Sequence, residues 1–316
     1  MAYSAGDTIL DDEYNTFVNN SSNPYGYNHF AGPGSGVYGL NQSTISTVSA
    51  GGTINASSWN SLFTGLDNIS NHTNVSITAS SVSAGDTVAI RAALVSDLAN
   101  LAAAVAGGST SATALSDRSA GSSTNGNTWN STSTIERSIT FANNNTMRAY
   151  FNAGGTIKIN PGTSGSVSGS KDTVFQQLEA AVGTLEFKAH ATTRSGSGET
   201  QTTFNSGTGF HDLSTGYSTL LKLTSNNAGY TSDYIEIFAK LNVAVSSATV
   251  ITIKLVASDP AADTTYTSGN LSGVPANPNE APAMSLALTA KEPTAAQGLA
   301  SAIQFSSNAQ VSNSAS

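Results

Sequence analysis

The chain has no cysteine among its 316 residues. A disulfide framework, a thiolate metal site and a cysteine nucleophile are therefore excluded. Charged residues are also scarce, at 10% of the chain, where an ordinary globular protein has about 25%. The net charge of −8 argues against an electropositive face that would bind nucleic acid. Uncharged polar residues must cover the surface, as is frequent in protein shells and fibres, where subunits pack side by side.

Long apolar runs are missing as well. None approaches the roughly 18 residues of a membrane span, so no membrane insertion is predicted. The start of the sequence lacks the basic and apolar segments of a secretory signal. Recognisable catalytic, cofactor-binding and metal-binding motifs are also lacking, and the four histidines do not have the spacing of a metal pair. The sequence therefore predicts a protein that is not an enzyme and needs no cofactor.

A short motif occurs three times in the N-terminal part. Ser4–Ile9 recurs as Ser49–Ile54 and as Ser83–Val88, and each copy precedes a stretch with the periodicity of an amphipathic helix. Asn55 is the predicted N-cap of the second helix, because its side-chain oxygen can accept a hydrogen bond from the first turn. Residues 1–106 are thus predicted to hold three short helical repeats.

The apolar stripes of these helices have two interpretations. They form either the core of a small bundle or a docking module that completes a partner. A loop rich in glycine and aromatic residues favours docking, because long loops of this kind often form interaction surfaces. The docking interpretation predicts assembly contacts through Tyr14, Phe17, Tyr25, Tyr27, Phe30, Tyr38, Trp59, Leu62 and Phe63.

Residues 107–133 are rich in Ser, Thr, Gly and Asn and are predicted to be a linker. Trp129 near its end is predicted to dock on the following domain. From Ile135 to Ile159, apolar and polar residues alternate on either side of Asn143–Asn145, which predicts a β-hairpin.

Further segments in which apolar and polar residues alternate predict antiparallel strands with one solvent-exposed face. One helix, ending at Gly183, is expected to lie across them. The predicted fold class is α+β, mainly β, with N-terminal helical docking repeats and an antiparallel β-sandwich or jelly-roll-like domain over residues 134–293. Residues 294–316 read as a polar tail that is either loose or ordered only against a partner.

Three segments carry a family resemblance. AGDTILDDEYNTFVN, GTINASSWNSLFTGLDNISNH and SITFANNNTMRAYFNAGGTIKI resemble virion structural proteins of tailed bacteriophages, notably phages of marine and cyanobacterial hosts. The resemblance covers roughly Ala5 to Ile159, and its most distinctive phrase is R-x-Y-F-N-A-G-G after S-I-T-F. It implies a tail, baseplate, neck or fibre component that is assembled in the host cytoplasm into the virion. The implied partners are other virion proteins and sister subunits, in three or six copies around the particle axis.

Two other functions stay open. The β domain could be a receptor- or glycan-binding module that stacks host surface sugars on exposed rings, with Tyr217, Tyr230, Tyr234 and Tyr266 as candidates. It could also be a depolymerising enzyme, which needs two carboxylates at a set separation. The available carboxylates show no spacing that singles out a pair: Glu179, Glu186, Glu199, Asp212, Asp233 and Glu236.

Overall fold

The computed structural model describes residues 11–83, 91–108, 110, 115–126, 129–164, 170–260, 281–295, 299 and 301–316. Six α-helices run over α1 (Asp11–Asn19), α2 (Tyr27–Phe30), α3 (Ala56–Thr73), α4 (Arg91–Ala106), α5 (Asn144–Asn152) and α6 (Ser170–Val182). Eleven strands run over β1 (Leu115–Thr124), β2 (Thr132–Thr140), β3 (Thr156–Ser164), β4 (Leu185–Phe187), β5 (Thr192–Arg194), β6 (Thr200–Phe204), β7 (Ser218–Thr224), β8 (Tyr234–Leu241), β9 (Val250–Ser258), β10 (Ala283–Pro293) and β11 (Ser307–Ala315). The fold is α+β and mainly β, as predicted.

The chain divides into two compact units that are interleaved in sequence. Unit 1 comprises Met1–Asp117, Ala142–Thr156 and Lys291–Gln304, and unit 2 comprises Arg118–Phe141, Ile157–Ala290 and Phe305–Ser316. The chain therefore passes between the units five times. The predicted order of consecutive segments, 1–106, 107–133, 134–293 and 294–316, differs from this division because later segments return to each unit.

Unit 1 is built around helices α1 to α4. Helix α3 begins after Asn55, whose side chain accepts a hydrogen bond from the Ser58 amide at 2.9 Å, so the predicted N-cap is confirmed. At the other end, Asn74 has a left-handed conformation with φ of 59°. Helix α3 packs on α2 and α4, and α1 packs on α2. The apolar stripes are thereby buried within the unit.

The predicted hairpin from Ile135 to Ile159 is wrong. Its first half is β2, but Asn143 caps helix α5 by accepting a hydrogen bond from the Thr146 amide at 2.9 Å. Strand β2 pairs with β9 and β11, whereas β3 pairs with β4 in the other sheet. The asparagine run thus starts a helix instead of turning one strand back on the other.

Unit 2 contains the antiparallel sheets. One sheet has the order β1-β10-β3-β4-β5 and the other the order β11-β2-β9-β8-β7-β6. The predicted alternation in β8 is confirmed, because its buried and partly exposed residues alternate strictly from Tyr234 to Leu241. In the β8–β9 pair, Tyr234 lies opposite Ser258.

Helix α6 lies against β7 and β8. It ends at Gly183, which has φ of 60°, as predicted for the residue after a helix. Trp129 is buried in the same unit, as predicted: its ring lies 4.9 Å from the Phe175 ring, and its indole N–H donates to the Pro282 carbonyl at 2.7 Å.

Two segments that were expected to lack regular structure are strands. The predicted linker, residues 107–133, contains β1, and the predicted tail, residues 294–316, contains β11. Strand β11 is not loose and needs no partner chain for its order, because it pairs with β2 along its length. A polar strand at the edge of a sheet has no apolar periodicity, so the sequence pattern carries no signal for it.

Candidate functional site

Seven of the nine predicted assembly contacts lie in the core of unit 1 and not on its surface. The exposed fraction of each side chain is at most 6%, for Tyr14, Phe17, Tyr27, Phe30, Trp59, Leu62 and Phe63. Trp59 is their centre, with ring centroids 5.3 Å from Tyr14 and 5.7 Å from Phe63. The bundle-core interpretation therefore accounts for these seven residues. Only Tyr25 and Tyr38 keep partly exposed side chains.

Tyr25, Tyr38 and His29 form one group of contacting rings, called the aromatic cluster below. The Tyr25 and His29 rings are stacked at 4.3 Å between centroids with 7° between their planes, and Tyr38 lies 4.6 Å from Tyr25 and 4.8 Å from His29. Burial, and then the positive charge of Arg148, lower the pKa of His29, which keeps the imidazole neutral near pH 7. The cluster therefore presents rings without charge.

The loop from Gly32 to Gly39, called the aromatic loop, is held in place by helix α5. The Arg148 guanidinium donates to the Pro33 carbonyl at 2.7 Å, and the Asn152 amide donates to the carbonyls of Val37 at 2.9 Å and Gly39 at 3.1 Å. Because these donors bind backbone carbonyls, they fix the path of the loop itself. Val37 at its tip is 37% exposed. The loop that carries Val37 and Tyr38 is thus preformed.

Two asparagines hold the segments that lead into the repeated motif. Asn15 in α1 donates to the Val48 carbonyl and accepts from the Val48 amide, both at 2.8 Å. Asn60 in α3 makes the same pair of bonds with Val82, at 2.9 and 2.8 Å. Each valine directly precedes one Ser-Ala-Gly motif, and the two asparagines occupy matching positions in the first two repeats. In each case, an asparagine on a helix thus hydrogen-bonds the backbone of the segment that leads to the next copy of the motif.

A shallow groove lies in unit 1 along α3. Its volume is about 450 Å³, and it is lined by Tyr27, Ser43, Thr44, Ile45, Ser57, Asn60, Ser61, Thr64, Gly65 and Asn68. None of these described lining residues is charged. Gly65 brings the helix close to Tyr27, since a Cβ at this position would lie 2.7 Å from the ring. Hydroxyl and amide groups beside an aromatic ring suit an uncharged polyhydroxylated ligand.

Two of the tyrosines considered for sugar stacking are covered by lysine side chains. Lys240 and Lys254 lie 4.2 and 3.8 Å from the centre of the Tyr217 ring. Lys222 lies 3.8 Å from the centre of the Tyr234 ring. Burial, followed by the nearby carboxylate of Glu136, raises the pKa of Tyr217 far above its usual value. Tyr230 is partly exposed, and Tyr266 lies outside the described residues.

Comparison with protein-family models, with curated proteins and with solved structures gives no match to this chain. Its own residues must therefore carry any functional conclusion. Among the described residues, no group of three or more His, Cys, Asp or Glu side chains is placed to hold a metal ion. None of the described helices is both long and apolar enough to cross a membrane.

Most of the carboxylates considered for a depolymerase have structural partners. Glu179 accepts hydrogen bonds from the amide and hydroxyl of Thr163, and Asp212 accepts one from the Gly209 amide. Glu236 accepts from Thr219 and pairs with Lys222 at 3.3 Å. These bonds account for the carboxylates as parts of turns and strand pairs.

Asp233, another of the carboxylates considered for a depolymerase, lies buried near Asp259 in unit 2. Asp233 precedes β8 and Asp259 follows β9, so the strand register brings them to the same end of the sheet. Their exposed fractions are 0% and 3%, and the Lys171 ammonium forms an ion pair with Asp259. Burial, followed by the negative charge of Asp259, raises the pKa of Asp233 to about 7, although Lys171 acts in the opposite direction. Asp233 therefore holds its proton more tightly in the folded chain than an exposed carboxyl group does.

Proposed function

We propose that the chain is a non-enzymatic structural subunit of a tailed-phage virion, in its tail, baseplate, neck or fibre region. It assembles as a symmetric oligomer with sister subunits and contacts other virion proteins. The observation that carries this proposal is the aromatic loop, fixed by Arg148 and Asn152, in which the Tyr38 ring contacts the ring of Tyr25. The resemblance to phage virion proteins supplies the kind of assembly.

Fixed aromatic side chains suit a protein interface for two reasons. Interface cores are enriched in tyrosine and depleted of charge. A surface that is already ordered also loses little conformational entropy on binding. The low charge of the whole chain supports the same proposal, because packed subunits would otherwise have to bury charges.

Mass spectrometry of purified particles of the encoding phage tests the proposal directly. The chain is expected among the virion proteins, and replacing it by a Val37→Asp variant is expected to lower its content in particles about tenfold, because one charge is placed in the contact. The matched control is Val243→Asp, since Val243 is 42% exposed but belongs to unit 2. Absence of the chain from particles, or equal incorporation of Val37→Asp and Val243→Asp, would contradict the proposal.

A receptor- or glycan-binding module is the second candidate function, and the groove along α3 favours it. Its lining of uncharged hydroxyl and amide groups matches a neutral sugar better than the lysine-covered tyrosines of unit 2 do. A glycan array with the full chain tests this function. Thr64→Leu would abolish a signal that arises in the groove, whereas Thr231→Leu, an exposed threonine elsewhere, would keep it. An array without any signal would dismiss this candidate.

A further inference from the structure

Strand β11 is the edge of the six-stranded sheet, and β2 lies on its inner side. Eight of its nine residues are exposed. An edge strand presents a row of unpaired backbone N–H and C=O groups along its outer side. Among the strands that the structure describes, none pairs with this outer side. The strand is therefore a ready template for another strand.

The edge is held firmly enough to serve as a template. Arg137 in β2 donates to the Asn308 side chain at 2.8 Å. Arg118 donates to the Phe305 carbonyl at 2.6 Å, and its guanidinium lies 3.5 Å from the centre of the Phe305 ring. Beyond the strand, the Ser316 carbonyl accepts from the Ser131 amide at 2.8 Å. Both ends of β11 are thus fixed before any partner arrives, which lowers the entropy cost of pairing.

The composition of β11 favours a second copy of the same strand. Exposed edges in monomeric proteins are usually guarded by lysine or proline. The sequence SNAQVSNSA contains no charged residue and no proline. Two identical copies can therefore approach along the full edge without like-charge repulsion.

The middle residue of the strand strengthens this match. Gln310 lies opposite Arg137 and Ser312 opposite Glu136, so Val311 is the extra residue of a β-bulge and has no partner in β2. Val311 is 54% exposed, more than the other exposed large apolar side chains that the structure describes, Val37 and Val243. A bulge often shields an edge by twisting it, but here the bulged residue adds an apolar side chain to the surface.

We propose that β11 pairs antiparallel with β11 of a second copy, across a two-fold axis at Val311. The contact joins the six-stranded sheets of two copies into one continuous sheet and places Val311 against its own counterpart. The inference rests on the proposed function in that it names the partner and the surface of self-assembly. An isologous contact of this kind requires a two-fold axis. Three or six copies are expected around a phage axis. An assembly of three copies has no two-fold axis, so the contact is compatible only with six.

A single cysteine tests the geometry, because the chain contains none of its own. Residues directly opposite in an antiparallel pair have Cα atoms about 4.5–5.5 Å apart, and a disulfide spans about 4.4–6.8 Å. Mild oxidation of the full-length Val311→Cys variant is therefore expected to convert most of it to a covalent dimer. Val243→Cys, an equally simple change at another exposed valine, is the control and is expected to stay uncrosslinked.

A charge at the same position tests the energetics. Val311→Lys is expected to weaken self-association about tenfold in sedimentation experiments, because two like charges then face each other. Val243→Lys is expected to leave it unchanged. The proposal is overturned if Val311→Cys crosslinks no better than Val243→Cys, or if Val311→Lys sediments as the unmodified chain does.

These results separate the pairing from the proposed function. Crosslinking that fails for a chain found in particles rejects the pairing and leaves the virion role standing. Crosslinking that succeeds for a chain absent from particles rejects the virion role and leaves the pairing standing.

Discussion

Replacing Asp233 by asparagine is expected to stabilise unit 2 above neutral pH and to change its stability little near pH 4. The reason is that burial, and then the negative charge of Asp259, make ionisation of the Asp233 carboxyl group unfavourable. Neither side-chain oxygen of Asp233 has a hydrogen-bond donor among the described residues. Asparagine keeps the shape of the side chain but cannot ionise.

The magnitude follows from proton linkage. The pKa of Asp233 is raised from 3.8 to about 7 in the folded chain. The folded state therefore holds the proton more tightly, and the stabilisation is complete below pH 4 and lost as the pH rises through 7. At about 1.4 kcal/mol per pH unit, the loss reaches about 4 kcal/mol as an upper value. Asp233→Asn is expected to recover about 2–4 kcal/mol of unfolding free energy at pH 8.5.

Urea unfolding followed by tryptophan fluorescence measures this difference. Trp129 reports on unit 2, and a Trp59→Phe background removes the signal of the other tryptophan. The comparison variant is Asp259→Asn, which removes the carboxylate that pairs with the buried Lys171 ammonium and is expected to cost about 3 kcal/mol at pH 5. The reasoning is refuted if the stability difference between Asp233→Asn and the parent chain does not grow from pH 5 to pH 8.5.

Three further changes test the framework of the molecule. Asn60→Ala leaves the Val82 amide and carbonyl without their partner and is expected to cost about 1–3 kcal/mol of unit 1 stability in urea unfolding; a neutral result would mean that the repeat is not held by this bond pair. Arg148→Ala should free the aromatic loop, seen as faster hydrogen exchange of the Tyr38 amide, which donates to the Ser35 carbonyl at 3.0 Å, with unchanged exchange in unit 2. Gly121→Ala places a Cβ against the Arg137 guanidinium at a φ of 85°, so its thermal midpoint should fall by several degrees, whereas Gly126→Ala, at a φ of 67° but in open space, should lose less.

Sequence patterns correctly predicted the features that depend on residues close together in the sequence. The Asn55 cap, the end of α6 at Gly183 and the alternation in β8 were all readable because caps, terminal glycines and one-sided burial leave regular signatures. The position of Trp129 was also predicted, since a large ring in a polar segment needs a covered place.

The segment around Asn143 was misread because its pattern is ambiguous over so few residues. Met147, Ala149 and Phe151 alternate as in a strand, yet Met147, Tyr150 and Phe151 also have helical spacing, and all are buried. A hairpin between β2 and the segment after Asn143 is excluded because β9 and β11 already pair with both sides of β2. Both strands come from distant parts of the chain. A single sequence does not reveal such long-range pairing.

The candidate contacts show a similar limit. Aromatic composition marked Tyr14 and Trp59 as well as Tyr25 and Tyr38, but it does not distinguish an interior ring from a surface ring. The hydrogen bonds from asparagine side chains to the backbone of Val48 and Val82 were not predicted. The matching positions of Asn15 and Asn60 in the repeat could have indicated them.

The interleaved course of the chain has a consequence for how the protein is made. Unit 1 includes Lys291–Gln304, and unit 2 includes Phe305–Ser316, so neither is complete until the ribosome has produced these late segments. Folding of unit 1 can therefore be completed only after these residues are synthesised, and chaperones have time to bind the first hundred residues before then. For the same reason, a fragment that holds only the first segment of either unit would lack the later segments of that unit.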